Sequence, residues 1–503
     1  MPEPTDATFD LLIIGGGING AGIARDAAGR DLRVLLVEQA GLANYTSSAS
    51  SKLIHGGLRY LEYGQFRLVR EALSERERLL AIAPHLVRRQ RFVLPHNRQL
   101  RPAWMIRAGL FLYDRLGRRS TLERSTGIRL QSSTFGAPLQ PQLTRGFGYS
   151  DCVVDDSRLV LLNALDAGEH GALIRPQHRF VRAERVGNQW RASIDDLRRG
   201  LSLEVKARVL MNAAGPWVGE VVADRLGLSS RQSVRLVKGS HIVVPRLYEG
   251  SQAYVLQNED RRIVFVIPYE HRFTLIGTTD LPWTGAPGPA EIDAEEARYL
   301  CTTVNQYFRS QIAPADVVWS YAGLRPLCDD AATDEASVTR DYVLEVEGTE
   351  SQAPLLSVYG GKITTYRRLA EHALEHLRPW LSALPEPWTA AKPLPGGDIP
   401  RADLAAFVSQ VQACWPYLGT DRAARMAGAY GTRIYTLLAA VSDESNMGEN
   451  FGGGLTEVEV NYLAAHEWAL TAEDVLWRHT KLGLLVTAQQ AASLGAYMEA
   501  RPR

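Results

Sequence analysis

Residues 10–38 constrain the fold more than any other stretch. Asp10-Leu11-Leu12-Ile13-Ile14 is a short apolar β run, and Gly15-Gly16-Gly17-Ile18-Asn19-Gly20 follows it directly. Ala21–Arg30 then reads as a helix, and Leu32–Val37 is a second β run that ends at Glu38. This is G-x-G-x-x-G between a strand and a helix, the turn with which a βαβ unit holds a dinucleotide. Gly15 permits the tight turn, Gly17 lets the backbone approach a pyrophosphate, and Gly20 lets the helix pack on the sheet. Free N–H groups at the helix start, around Ile18 and Asn19, and its positive dipole end favour phosphate. Glu38 stands where an acid accepts hydrogen bonds from ribose hydroxyls. A lone glycine motif is a weak signal; strand, helix and terminal acid give it context. The motif does not by itself separate FAD from NAD.

The chain has 503 residues, enough for two or three domains. Its formal net charge is zero, which argues against a general polyanion binder, so no nucleic acid partner is expected. Cys152, Cys301, Cys328 and Cys414 are far apart and form no CxxC pair, which points to thiols in a reducing compartment and to no metal site. Met1–Phe9 is polar and acidic, unlike a secretory signal. No apolar run approaches the roughly 20 residues of a spanning helix, so membrane contact is expected to be peripheral.

The next stretch, Thr46-Ser47-Ser48-Ala49-Ser50-Ser51-Lys52-Leu53-Ile54-His55-Gly56-Gly57-Leu58-Arg59-Tyr60, is small and polar, then glycine-rich, and closes on a cation and a phenol. It resembles the flavin loop of the FAD-dependent glycerol-3-phosphate dehydrogenases of the aerobic, membrane-associated bacterial type. Five further segments support the resemblance in the family's order: Asn212–Trp217, Lys238–His241, Gly277–Asp280, Gly323–Leu327 and Gly360–Arg367. It covers nearly the whole chain from Phe9 onward. It implies FAD as cofactor, oxidation of sn-glycerol 3-phosphate to dihydroxyacetone phosphate by hydride transfer from C2, and ubiquinone as electron acceptor. It also implies a homodimer on the inner face of the cytoplasmic membrane.

Several residues can serve that chemistry. Ser47, Ser48, Ser51 and Lys52 can donate hydrogen bonds to phosphate and flavin edges, and Leu53 follows them. A strand running into Ala213-Ala214-Gly215-Pro216 lets backbone approach a ligand without side-chain obstruction. Val181 is counted with these cofactor residues. Gly360-Gly361-Lys362-Ile363-Thr364-Thr365 has the look of a second anion-binding turn, whose N–H groups could face the flavin where negative charge grows on reduction. A phosphate dianion is held best by guanidinium forks and ammonium groups. Arg59, Arg325 and Lys362 each lie in a glycine-containing turn, and Tyr60 and Thr278 can add hydrogen bonds. The resemblance points to Arg59, Arg325, Lys362 and Tyr60 as well. His55 is a candidate base for the C2 hydroxyl proton and equally a structural histidine of the loop; Arg325 is an alternative group that stabilises the forming alkoxide.

The expected fold is α/β. A discontinuous Rossmann-like FAD-binding domain takes residues 9–70, 175–222 and 351–377. An antiparallel, β-rich substrate domain takes 71–174 and 223–350, with strands over 240–245, 262–268 and 273–277. A proline- and glycine-rich linker precedes a C-terminal α-helical domain over 398–503. Between Arg88 and Arg119 nine arginines stand against one acid, Asp114. A helix there, near 102–118, gathers Met105, Leu112, Tyr113 and Leu116 on one side, with Arg107, Asp114 and Arg118 opposite and Trp104 and Phe111 near the boundary. Such a helix can lie on an anionic membrane. Two rivals share the fold: a soluble oxidase that hands electrons to oxygen, and an amine or amino-acid oxidase of the wider FAD superfamily.

Overall fold

A computed structural model describes residues 8–96, 101–117, 120–328, 341–349, 351–381 and 384–501. The glycine motif forms the expected unit: β1 (Thr8–Ile14), α1 (Ile18–Ala28) and β2 (Val34–Glu38), with β1 and β2 paired in parallel. The sheet runs on in parallel through the end of Leu201–Asn212 and Leu355–Gly360 on one side and Leu173–Pro176 on the other. Leu11 and Ile13 face a helical layer made of α1 and the helices Asp156–Glu169 and Tyr366–His376. Leu12 and Ile14 face the opposite core, with Phe180, Trp190 and Ile194 from the antiparallel strands His178–Val186 and Gln189–Asp196. Period-two alternation thus buries both faces of β1, as a central parallel strand requires.

Several elements cross the expected division of the chain. The helix Asp156–Glu169 and the antiparallel edge strand Tyr342–Glu347 belong to the first layer, and the two-residue strand Leu53–Ile54 pairs with the second sheet. Their apolar patterns resemble those of their neighbours, so only the pairing assigns them.

The second sheet has ten strands and is antiparallel apart from one short pairing. Val234–Pro245 lies one strand in from an edge of this sheet, between Trp319–Cys328 on one side and Phe273–Gly277 on the other. Ile242 and Val244 pack toward the helix Ala294–Tyr307, and Val243 packs toward the helix Ala103–Leu116. The latter helix departs from the expected wheel. It buries Ile106, Leu110 and Tyr113, while Met105 and Leu112 are half-buried and Trp104 and Phe111 point to solvent. Tyr113 fixes the rotation, because its hydroxyl donates to Asp151 and accepts the Gly56 N–H at 2.8 Å. Arg98, Arg118 and Arg119 lie outside the described residues.

The C-terminal body packs Phe407, Val411, Met426, Tyr430, Leu463 and Leu494 into a core of its own. It contains a small hairpin, Asn450–Gly452 with Leu455–Thr456, whose connecting glycines have positive φ. The proline- and glycine-rich segment before this body lies along α1, where the Trp388 indole donates to Asp26 O at 3.1 Å.

Buried ion pairs tie these layers. Arg25 of α1 meets Asp166 at 2.5 Å. Arg367 grips Glu75 through Nε at 2.7 Å and Nη2 at 2.8 Å, with both side chains 1% exposed. Removing Arg367 leaves buried Glu75 only the part-exposed Arg78 as a partner, against a cost of about 3–5 kcal/mol for a fully stranded charge. Arg367→Met is therefore expected to lower the urea midpoint, with a loss of unfolding free energy of about 2–4 kcal/mol. An unchanged midpoint would show that Arg78 alone suffices as the partner of Glu75.

Candidate active site

One deep cleft receives the glycine turn, the Thr46–Leu53 loop, the Ala213–Trp217 turn and the Gly360–Thr364 turn. Among the residues singled out from sequence, Gly15, Gly17, Ile18, Asn19, Glu38, Ser47, Ser51, Leu53, Ala214, Gly215, Gly361, Lys362, Ile363 and Thr364 line it. Gly20, Ser48, Lys52 and Val181 do not. Gly20 lies beneath the lining: a Cβ there would sit 1.9 Å from Gly15 O. Ser48 Oγ donates to Tyr45 O, and buried Lys52 turns back to Asp156 at 2.8 Å. At Val181 the strand carries a register shift, and His178, Arg179 and Phe180 supply the lining instead.

Close backbone contacts and internal hydrogen bonds fix the turn. Gly15 has φ 109°, and its missing Cβ lets Ala213 O approach. Ser47 Oγ accepts the Ile18 N–H at 3.0 Å. Glu38 accepts N–H groups from Gly16 at 2.7 Å and Ala40 at 2.9 Å. Burial pushes its carboxyl above the usual range, and these N–H groups pull it back. Near it, Tyr45 and Trp217 meet edge to face at 4.7 Å.

Elsewhere the cleft is lined by His55, Tyr60, Thr278, Arg325 and Lys362. Arg325 comes from the strand Trp319–Cys328. Its guanidinium is held by Asp280 and donates to Thr278 Oγ1 at 2.9 Å. The Lys362 ammonium lies 3.7 Å from the centre of the Tyr60 ring. The His55 N–H is anchored on Thr364 Oγ1 at 3.3 Å, and its ring meets Phe265 edge to face. Arg59 lines an adjoining cavity of about 560 Å³. His55, Tyr60, Phe265 and Thr278 form the wall common to both spaces. The site therefore joins Arg325 and Lys362 in one cleft and sets Arg59 next door.

Four residues were not singled out from sequence. Asp280 orients Arg325; an acid closing Gly277-Thr278-Thr279-Asp280 was the available signal. Gly239 makes room for Arg325, since a Cβ there would lie 2.5 Å from Nη2. Phe265 reads as one more strand residue. His241 is 1% exposed and bonds Ser51 Oγ through Nε2 at 2.9 Å. Burial, then Arg325 and Lys52, hold its ring far below the usual histidine range, so it stays neutral.

A family model for FAD-dependent oxidoreductases matches residues 10–367, and one for the C-terminal domain of alpha-glycerophosphate oxidase matches residues 388–500. The chain is 53% identical over 504 residues to a glycerol-3-phosphate dehydrogenase of Pseudomonas aeruginosa, covering 99% of this chain and 98% of the relative. It is 47% identical over 496 residues to a D-erythritol 1-phosphate dehydrogenase of Brucella abortus, covering 98% of each. Among solved structures, a glycerol-3-phosphate dehydrogenase from Bacillus halodurans complexed with FAD superposes with a TM-score of 0.76 at 24% identity, covering 99% of this chain and 95% of that one. That likeness is one of fold.

FAD is thus the cofactor, and Gly17 tests the fit. Gly15 and Gly20 are glycines for the protein's own packing. A Cβ at Gly17 would meet only Ser47 Oγ, at 3.1 Å, and its φ of −81° is ordinary. Its lack of a side chain answers to what enters the cleft, in keeping with the close approach of a pyrophosphate. Gly17→Val is expected to fold with near-normal secondary structure and to be purified without flavin absorbance. A yellow protein with full occupancy would rule out this role.

Proposed function

The chain belongs to the FAD-dependent glycerol-3-phosphate dehydrogenase family, and from that premise we propose that it oxidises sn-glycerol 3-phosphate at C2 to dihydroxyacetone phosphate and passes the electrons to membrane quinone. One observation carries the reading: Arg325 and Lys362, from segments distant in sequence, line the same cleft as the dinucleotide turn, beside Tyr60 and Thr278. Two fixed cations suit a phosphate ester better than the carboxylate and apolar group of an amino acid.

FAD, when bound, supplies the acceptor for the C2 hydride. Ser47, Ser51 and the N–H groups of Asn19 and Gly361–Thr364 would hold it, with Ile18 N–H fixing the Ser47 hydroxyl. Residues 9–70, 175–222 and 351–377, with the helix Asp156–Glu169 and the strand Tyr342–Glu347, carry it, and the second sheet carries the substrate residues. Lys362 holds the dianion, with Tyr60 beneath its ammonium group and Arg59 drawing the ester from the adjoining cavity. Asp280 and Thr278 keep Arg325 in one orientation, so its charge faces the C2 oxygen without reorganisation. His55 takes the hydroxyl proton. Sequence separation does not weaken this arrangement, because Arg325 sits within a paired strand, Arg59 and Tyr60 on a short helical turn, and Lys362 on the turn that follows a strand.

A second reading concerns substrate length. The likeness to a D-erythritol 1-phosphate dehydrogenase and the cavity beyond Tyr60 both favour a four-carbon polyol phosphate. Anaerobic bleaching of the flavin separates the cases. Glycerol 3-phosphate is expected to bleach it quickly, erythritol 1-phosphate more slowly, and glycerol or amino acids not at all. Arg325→Ala should retain FAD and slow bleaching by a factor of about 100 or more, the loss of roughly 3 kcal/mol of oriented charge. Faster bleaching by erythritol 1-phosphate would select the second reading; bleaching by amino acids would select the amine-oxidase rival. Reoxidation faster with oxygen than with a ubiquinone analogue would select the oxidase.

The acceptor side rests on the helix Ala103–Leu116. No helix of the described residues is long and apolar enough to cross a membrane. Trp104 is 73% exposed and Phe111 50%, on one face with Arg107 and Arg115, and Tyr63 and Phe66 are exposed on the preceding segment. Aromatic rings among arginines suit the headgroup level of an anionic bilayer. Dimer formation is part of the same proposal, from resemblance alone. Trp104→Ser with Phe111→Ser should reduce co-sedimentation with anionic vesicles. Arg107→Gln and Arg115→Gln should each weaken it about fivefold, near 1 kcal/mol per charge. Unaltered sedimentation would move the docking face elsewhere.

A further inference from the structure

The C-terminal helical body lines no part of the cleft, yet two threads run from it to the flavin loop. The first is ionic. Lys481, 3% exposed, donates to Ser157 Oγ and reaches Asp155 at 3.3 Å. Asp155 caps the helix Asp156–Glu169, accepting the Arg158 N–H at 3.1 Å. Burial opposes the Asp155 charge, but Lys481 and then Lys52 outweigh it and hold the carboxyl below its usual range. The adjacent Asp156 spends both oxygens on the loop: Oδ2 accepts Ser50 Oγ at 2.7 Å and Oδ1 accepts Lys52 Nζ at 2.8 Å. Lys52 in turn donates to Ser48 O at 3.0 Å, closing the loop on itself.

The second thread is aromatic. Trp477 stacks on Trp319 at 4.5 Å and 17°, and Gly483 leaves room for its indole. Trp319 leans on Tyr321 at 5.0 Å. The Tyr321 hydroxyl donates to Ser50 O at 2.8 Å, and its ring stacks on His241, the partner of Ser51. Both threads therefore end on residues 50–52, and Ser50 and Ser51 line the cleft.

We infer that the C-terminal body clamps the flavin loop, with Lys481 and Trp477 as positioning residues for FAD. Removing Lys481 leaves Asp155 without its nearest cation. Lys52 is then drawn toward two carboxylates and away from Ser48. Removing Trp477 lets Trp319 and Tyr321 shift and frees Ser50 O. This inference rests on the FAD site and not on the choice of substrate.

The test uses the full-length holoprotein and FAD itself. Lys481→Met and Trp477→Leu are expected to raise the FAD dissociation constant about tenfold, or 1.4 kcal/mol, and to alter the visible circular dichroism of the bound flavin. Lys481→Arg should restore most of both. Leu494→Ala, a core lesion in the same body away from the threads, should lower the melting temperature and leave the flavin bands unmoved. The inference fails if Lys481→Met and Trp477→Leu bind FAD as tightly as the parent with unchanged bands. It fails too if Leu494→Ala perturbs flavin binding to the same extent.

Discussion

Backbone must pass backbone at less than side-chain distance where the first strand turns into the first helix. A Cβ at Gly20 would overlap Gly15 O, and one at Gly15 would lie 2.5 Å from Ala213 O. Three segments, from residues 15, 20 and 213, thus meet with no side chain between them. The backbone of the helix start can then come close to a phosphate. Everything else in the site is arranged around that contact: the Ala213–Trp217 turn, the Ser47 hydroxyl on Ile18, and the Gly360–Thr364 turn on the neighbouring strand.

Holding such a contact in a discontinuous unit requires ties between distant parts of the chain. They are largely ionic and buried. Arg25–Asp166, Arg367–Glu75 and Arg158–Glu467 join such parts with little or no exposure, while Arg30–Asp26 is a local i,i+4 pair at the end of α1. Replacing such pairs with apolar residues would cost little stability, whereas breaking one is expensive. Their effect is to fix one arrangement of layers. The guanidinium groups also satisfy backbone carbonyls that an apolar side chain could not reach, as Arg158 does at Ala429 and Arg30 at Pro385.

The same economy governs the reactive wall. Arg325 would be a mobile surface cation without Asp280 and Thr278 on one side and the absent side chain of Gly239 behind it. A charge held in place before reaction costs no reorganisation when the substrate's own charge develops. The neutral, buried His241 lets Ser51 be fixed without adding a further cation to a wall that already carries two.

The chain alone determined what local rules can express. Strand, glycine turn, helix and Glu38 are set by neighbours along the sequence, so the dinucleotide unit was legible, and the spacing of Gly360–Thr364 marked the second turn. The flavin loop and the phosphate cations came from resemblance of their motifs. Tertiary structure alone decided that Lys52 turns away from the cleft to Asp156, that Met105 and Leu112 border a cavity while Leu110 fills the core, and that Arg59 lies in a separate space from Arg325. It also decided that Tyr342–Glu347 completes the first sheet. Each of these depends on which partner a residue meets across tens or hundreds of positions. Periodicity along the chain carries no record of such partners, because an apolar stripe or a lone cation has the same pattern whichever surface it finds.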